Sequence, residues 1–311
     1  MNSNNWYFVG LPIVLFNIAP AQAVDFNYSG ATVHFPEIPG YCVLNESLEI
    51  DAALIKFLRD LQKPRNTLVT AFVDCEQLRA YKTGAAPSFS RHGNFLIQND
   101  PKTGKPADMS RVKVKEYYAS AARASTGAAF KDAISNEFSS KIEKSASEMG
   151  MELKLGKTNV AVLRLNEDAL YMAMAENLKT TDNAIPVAGV FALQLVNGLS
   201  VSTNLYDRYE NDQTYVVIDK QVQKIVAEIN VKNRKSTVTI DQTASQTEER
   251  PHHIEATEAK LPASVMNQTL ELPDPSPNFN WGRVAEKGVI GALVGGIIAL
   301  IGALFRRKDK N

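Results

Sequence analysis

The run Gly288 to Phe305, GVIGALVGGIIALIGALF, carries no charged or strongly polar side chain, and Arg306-Arg307-Lys308-Asp309-Lys310 follows at once. In lipid every backbone polar group has to be satisfied within the segment, so a run like this is expected to be a helix. At about 1.5 Å per residue its 18 residues reach ~27 Å, close to the hydrocarbon thickness of a bilayer. The basic cluster behind it stays cytoplasmic by the positive-inside rule, which puts everything before it on the far side of the membrane. Gly291, Gly295, Ala299 and Ala303 recur every fourth residue. That stripe lets another helix backbone approach closely, so self-association or a membrane-protein partner is expected there, in addition to the lipid bilayer itself.

The other end agrees. Trp6 to Ile18 is apolar and runs into Ala19-Pro20-Ala21-Gln22-Ala23, with small residues at −3 and −1 of a cut after Ala23. Residues 1–23 therefore read as an export signal, although Met1 to Asn5 contain no Lys or Arg. The predicted topology is a bacterial inner-membrane protein with one C-terminal span at 284–305, a basic cytoplasmic tail at 306–311 and its main domain in the periplasm. Between the ends, 34 basic and 34 acidic side chains leave a formal charge of zero, which removes the basic surplus that nucleic-acid binding requires. Cys42 and Cys75 are the only cysteines, and in an oxidising compartment they are expected to pair. A redox thiol is disfavoured, because no C-x-x-C spacing is present.

The exported part, 24–235, reads as α+β. Ala31 to Leu44 is strand-like but interrupted by Pro36, Pro39 and Gly40; Ser47 is placed to cap a helix through Gln62, and Asn66 to Asp74 is long and apolar enough for a strand. Lys82 to Met109 reads as a long surface excursion with a short strand at Asn94 to Ile97. Val112 to Met149 is helical with a break at Ser125-Thr126-Gly127, and its second half carries Phe130, Ile134, Phe138 and Ile142 at near-helical spacing. Strands follow at Asn159 to Leu165, Ala169 to Ala175, Val187 to Val196 and Leu199 to Leu205. Asn197-Gly198 between the last two has the chemistry of a two-residue hairpin, since both positions tolerate positive φ. A closing helix runs from Asp212 to about Asn230. Residues 236–283, rich in Thr, Gln, Glu and Pro, read as a flexible polar linker.

Candidate chemistry is thin. Gly150 to Thr158 approaches a phosphate-binding loop but has five residues between its glycines where four are needed, and it leads into a strand. Ser110-x-x-Lys113, Ser202-Thr203-Asn204 and the Lys-Thr-Gly copies at Lys82 and Lys102 match the marks of penicillin-recognising enzymes in the wrong order. His252, His253, Glu255 and Glu258 offer metal-ligand types within the linker, where nothing fixes a coordination shell. Lys102, Lys105, Arg111, Lys113 and Lys115 read as a solvated basic face. No catalytic residue, metal site or cofactor is assigned.

The pattern Leu195-Val196-Asn197-Gly198-Leu199-Ser200-Val201, continuing through Tyr206 and Tyr209 into the last helix, resembles bacterial envelope proteins in which a hydrophobic helix follows an α+β domain. Its hairpin-then-helix ending also looks like the PsbP/Mog1-type sandwich. That resemblance implies a bent antiparallel sheet with covering helices. The expected function is a non-catalytic binding or assembly module near the inner membrane. The alternative is an envelope hydrolase whose site is assembled from dispersed residues such as His34, His92 and Ser110.

Overall fold

The structure, a computed structural model, describes residues 23–86, 89–126, 139–148, 153–156, 158–180 and 184–234. Residues 1–22 of the expected signal, the linker and the expected membrane helix, including Gly291, Gly295, Ala299 and Ala303, lie outside the described residues, as do Phe130, Ile134 and Phe138. Among the described residues no helix is long and apolar enough to cross a membrane.

The chain opens with a two-stranded ribbon, β1 (Val24–Tyr28) and β2 (Ala31–Phe35), closed by Ser29 and Gly30 at positive φ. Then come β3 (Tyr41–Val43), α1 (Glu49–Gln62), β4 (Asn66–Asp74), α2 (Cys75–Thr83) and β5 (His92–Gln98). Next are α3 (Val114–Thr126), α4 (Ser139–Glu148), β6 (Leu153–Leu155), β7 (Asn159–Leu165) and β8 (Leu170–Thr180). The described part ends with β9 (Ala184–Val196), β10 (Leu199–Arg208) and α5 (Asp212–Arg234). β3 to β10 form one antiparallel sheet in the order β3-β4-β5-β10-β9-β8. β6 and β7 both pair along the outer edge of β8, so eight strands fill seven positions.

Both faces of this sheet are covered, which explains why its central strands do not alternate cleanly between apolar and polar. On one face Leu54, Leu58 and Leu61 of α1, Leu78 and Tyr81 of α2, Tyr117 and Ala121 of α3 and Ile142 of α4 meet Met172, Met174, Phe191 and Leu193. On the other, Ile218, Val222, Ile225 and Ile229 of α5 and Val33 and Phe35 of β2 meet Val190, Ala192, Val201 and Leu205. The sequence VAGVFALQLV of β9 is thus buried from either side.

Local chemistry sets the turns. Asn197 and Gly198 adopt φ of 49° and 76°, the expected hairpin of β9 and β10. The Cys42–Cys75 disulfide forms and ties β3 to the first residue of α2. Ser47, however, does not cap α1. The N-cap is Leu48 without a side-chain bond, and Ser47 Oγ instead donates to Asn45 Oδ1 at 2.8 Å. A helix not expected from sequence, α2, precedes the excursion and enters it at Lys82 and Thr83, and within the excursion the short strand is longer and more deeply buried than expected. α2 starts where Asp74 accepts from the amides of Glu76 and Gln77, and it ends at Gly84 with φ 88°. β5 is buried at all seven positions, between β4 and β10.

The strand expected at Asn94 to Ile97 is the centre of β5, which extends to His92 and Gln98 because polar residues at its ends and middle find partners in β10 and α3. His92 stacks on Tyr206 with ring centroids 5.2 Å apart, Asn204 Nδ2 donates to Asn94 Oδ1 at 2.7 Å, and Ser202 Oγ donates to Asn204 Oδ1 at 2.8 Å. Tyr117 Oη bonds both Gln98 Oε1 at 2.8 Å and Ser200 Oγ at 2.7 Å. A polar seam therefore crosses the middle of a buried sheet. Buried polar groups must be paired, so a one-residue slip between β5 and β10 would orphan several of them at once, and the seam holds the register. Gly93 fits only as glycine here, since an added Cβ would lie 2.3 Å from the Asn204 carbonyl oxygen.

Candidate functional site

A cleft of about 180 Å³ opens where the β7–β8 turn, the β9–β10 turn and the C-terminal end of α5 converge. Its lining comprises Glu167 and Asp168 from the first turn, Leu195, Val196 and Asn197 from the second, Asn230, Asn233 and Arg234 from the last turn of α5, and Val114 and Tyr118 from α3. Each contribution has a local cause. Asn166 Oδ1 accepts from the amides of Asp168 and Ala169 at 3.0 and 2.9 Å, an Asx turn that projects Glu167 and Asp168. The positive φ at Asn197 brings its side chain back over β2 and α5. Tyr118 Oη accepts from the Leu195 amide at 3.0 Å and donates to the Asp168 carbonyl at 3.1 Å. Burial holds that phenol protonated far beyond its ordinary range.

The asparagines bind the ribbon to the body. Asn233 Nδ2 donates to the His34 carbonyl at 2.9 Å while Asn233 Oδ1 accepts from the His34 amide at 3.0 Å, so one side chain pairs the outer edge of β2 as a neighbouring strand would. Asn197 Nδ2 donates to the Thr32 carbonyl at 2.7 Å and to Asn233 Oδ1 at 3.3 Å. Asn230 Nδ2 donates to Asp168 Oδ1 at 2.9 Å, and Asn230 Oδ1 accepts from Gln194 Nε2 at 3.2 Å. Arg234 reaches the same Asp168 oxygen at 3.1 Å.

The dispersed hydrolase candidates do not come together. Ser110 lies against Gly198 at the cleft end of β10, where a Cβ on that glycine would be 3.2 Å from the Ser110 Cβ. His34 is at the same end, but its Nδ1 is 2.7 Å from Asp25 Oδ1 on β1. His92 pairs with Tyr206 at the opposite end of β10, eight residue steps from Gly198 and so roughly 27 Å away along the strand. Its neighbours include Ser90 and Asp207, the residue types of a hydrolytic triad, yet they are wired differently. Ser90 Oγ donates to Asp207 Oδ1 at 2.9 Å, and His92 Nδ1 sits 2.8 Å from Ser90's own carbonyl. A base has to reach the hydroxyl that attacks, and this hydroxyl is directed at a carboxylate. Arg91 bridges Asp207 at 3.6 Å and Asp74 at 2.9 Å, while burial pushes the Asp207 carboxyl up from its ordinary range.

Gly150, Met151, Glu152 and Lys157 of the loop-like stretch, and His252, His253, Glu255 and Glu258, lie outside the described residues. From Leu153 the chain enters β6, and among the described residues no group of three or more His, Cys, Asp or Glu could hold an ion. Lys102 and Lys105 lie on a turn closed by Gly104 N to Asp100 O at 2.8 Å, exposed as a solvated face is. Of the cleft residues, sequence marks Asn197 as a hairpin position and places Leu195, Val196 and Asn230 in a strand and the closing helix, while Glu167, Asp168, Asn233 and Arg234 carry no short-range motif. Asn166 ahead of Glu167-Asp168 is a further local signal, as an Asx-turn former between two apolar runs. No protein-family model, curated protein or solved structure matches this chain.

Proposed function

We propose that the chain is a membrane-anchored periplasmic protein, a non-catalytic binding or assembly module that acts near the bacterial inner membrane. The domain is exported, the linker 236–283 carries it, and the helix at 284–305 anchors it and associates through Gly291, Gly295, Ala299 and Ala303. A PsbP/Mog1-like sheet is the scaffold in this reading. One observation carries the binding half: the cleft is lined by Asn197, Asn230, Asn233 and Asp168, each held by hydrogen bonds to neighbouring groups, and among the described lining residues no hydroxyl or thiol is in contact with an imidazole. Such fixed polar groups orient a guest.

Two arms test it. Alkaline phosphatase fused behind Asn230 is expected to be active, and a fluorophosphonate probe is expected to leave the full chain unlabelled. A reporter that works there only in the cytosol overturns the location, and a serine adduct overturns the non-catalytic reading.

A further inference from the structure

α5 buries one face against the sheet through Ile218, Val222, Ile225, Val226 and Ile229. At about 100° per residue, Gln213, Val217, Lys220, Lys224, Ala227 and Val231 fall in a narrow stripe on the opposite side, and all six are exposed. Val217 and Val231, at 51% and 56%, are the most exposed large apolar side chains among the described residues. Lys220 and Lys224 within the stripe, and Lys232 on its flank, make no ion pair among the described residues. The acids of α5 do not offset them. Asp212 accepts from Tyr209 Oη at 3.0 Å in the first turn, Asp219 is buried in its pair with Arg164, and Glu228 alone borders the stripe, half-buried.

We propose that this stripe docks on the anionic headgroup surface of the bilayer that anchors the chain, with α5 lying along it. The proposal rests on the anchored reading above and deepens it. Lysines that carry their charge to lipid phosphates, beside valines that enter the boundary between headgroups and acyl chains, make the pattern of an interfacial helix. In the anchored reading the 48 residues 236–283 join α5 to the span, and a linker of that length reaches roughly 40 Å, so the surface is always at hand and weak contacts suffice. A second copy fits less well. The alternating three- and four-residue spacing is that of a coiled-coil seam, but Lys220 and Lys224 at its centre would meet lysines of the other helix.

The test uses the full chain in phosphatidylcholine nanodiscs with and without phosphatidylglycerol. Ala227→Cys carries an environment-sensitive fluorophore, while Cys42 and Cys75, bonded to each other, stay unlabelled. Lipid spin-labelled at the headgroup should quench it about threefold more where phosphatidylglycerol is present, and high salt should remove the difference. A fluorophore at Lys56→Cys on α1, which covers the other face of the sheet, should show no such difference. Replacing Lys220, Lys224 and Lys232 together by Gln should bring quenching to the neutral-disc level, and replacing them by Arg should keep it. Lys224→Glu alone serves if the triple variant misfolds, which near-UV circular dichroism reads. Equal quenching in both discs, none at Ala227, or a folded triple Gln variant that behaves as wild type overturns the proposal. A response to soluble polyglutamate as large as that to phosphatidylglycerol overturns it in favour of an acidic protein. One that follows the number of chains per disc and ignores phosphatidylglycerol overturns it in favour of a second copy. Retention in neutral discs reads the anchor separately: a chain that leaves them refutes the anchored reading, while its recruitment by phosphatidylglycerol through the lysines would still support the docking face.

Discussion

Glu176 is the least comfortable side chain in the described sheet. It lies on β8 opposite Val187 of β9, flanked on its own strand by Met174 and Leu178, is 2% exposed, and neither carboxylate oxygen has a hydrogen-bond partner. Burial alone pushes its pKa from 4.5 to about 8. The folded protein therefore holds a proton that the unfolded chain releases first. Stability is full below pH 4.5, falls as the pH rises toward 8, and levels off above it. A slope of about 1.4 kcal/mol per pH unit over that window amounts to roughly 5 kcal/mol in all and roughly 3 kcal/mol by pH 7. Glu176→Gln keeps the shape and removes the titration. Denaturant unfolding of wild type and variant, followed by the near-UV circular dichroism of buried tyrosines, should give similar stabilities at pH 5. The variant should become the more stable by several kcal/mol at pH 8.5. The difference between the two curves isolates this residue from other carboxylates. Curves that stay parallel from pH 5 to 9, or a wild type that gains on the variant as the pH rises, would refute the account of a neutral buried acid.

Other consequences are simpler to read. Reducing the Cys42–Cys75 bond, which spans 33 residues, should lower unfolding stability by roughly 3 to 4 kcal/mol on loop-closure entropy, measured as a shift in denaturant midpoint with dithiothreitol. Asn233→Ala leaves the His34 amide and carbonyl and one Asn197 donor unpaired, and should cost about 2 to 3 kcal/mol. Hydrogen-exchange mass spectrometry should show the loss first as faster exchange in Val24–Tyr28 and Ala31–Phe35, and unchanged exchange there would exclude the asparagine as the clamp.

Segments whose partners are near in sequence could be read before folding. Asn66 to Asp74 and Asn159 to Leu165 appear as β4 and β7 with those bounds, because nine and seven residues of apolar and β-branched character need no distant neighbour to favour extension. The start of α5 at Asp212 and the turn at Asn197-Gly198 were likewise local. α2, by contrast, is the polar sequence CEQLRAYKT with only Leu78 and Tyr81 buried, so apolar periodicity had little to register. Its one local mark is Asp74, which caps it by accepting from the Gln77 amide three residues on. β1, with half-buried and exposed residues in alternation, and the three-residue β6 carried too few apolar side chains to stand out.

The sequence by itself determined which stretches can pair or coil, that the chain reverses at Asn197-Gly198, that the two cysteines have a partner in each other, and that 288–305 has the composition of a membrane span. Tertiary structure alone decided that His92, Asn94 and Gln98 belong in the interior, because Asn204, Tyr206 and Tyr117 that satisfy them lie 19 to 114 residues further along. It alone brought Asp168, Asn197 and Asn230 to one cleft from two turns and a helix end. Periodicity reports the face of one element. Whether a polar side chain is partnered or orphaned depends on another element, and an antiparallel sheet with helices on both faces settles that only once its strand order has formed.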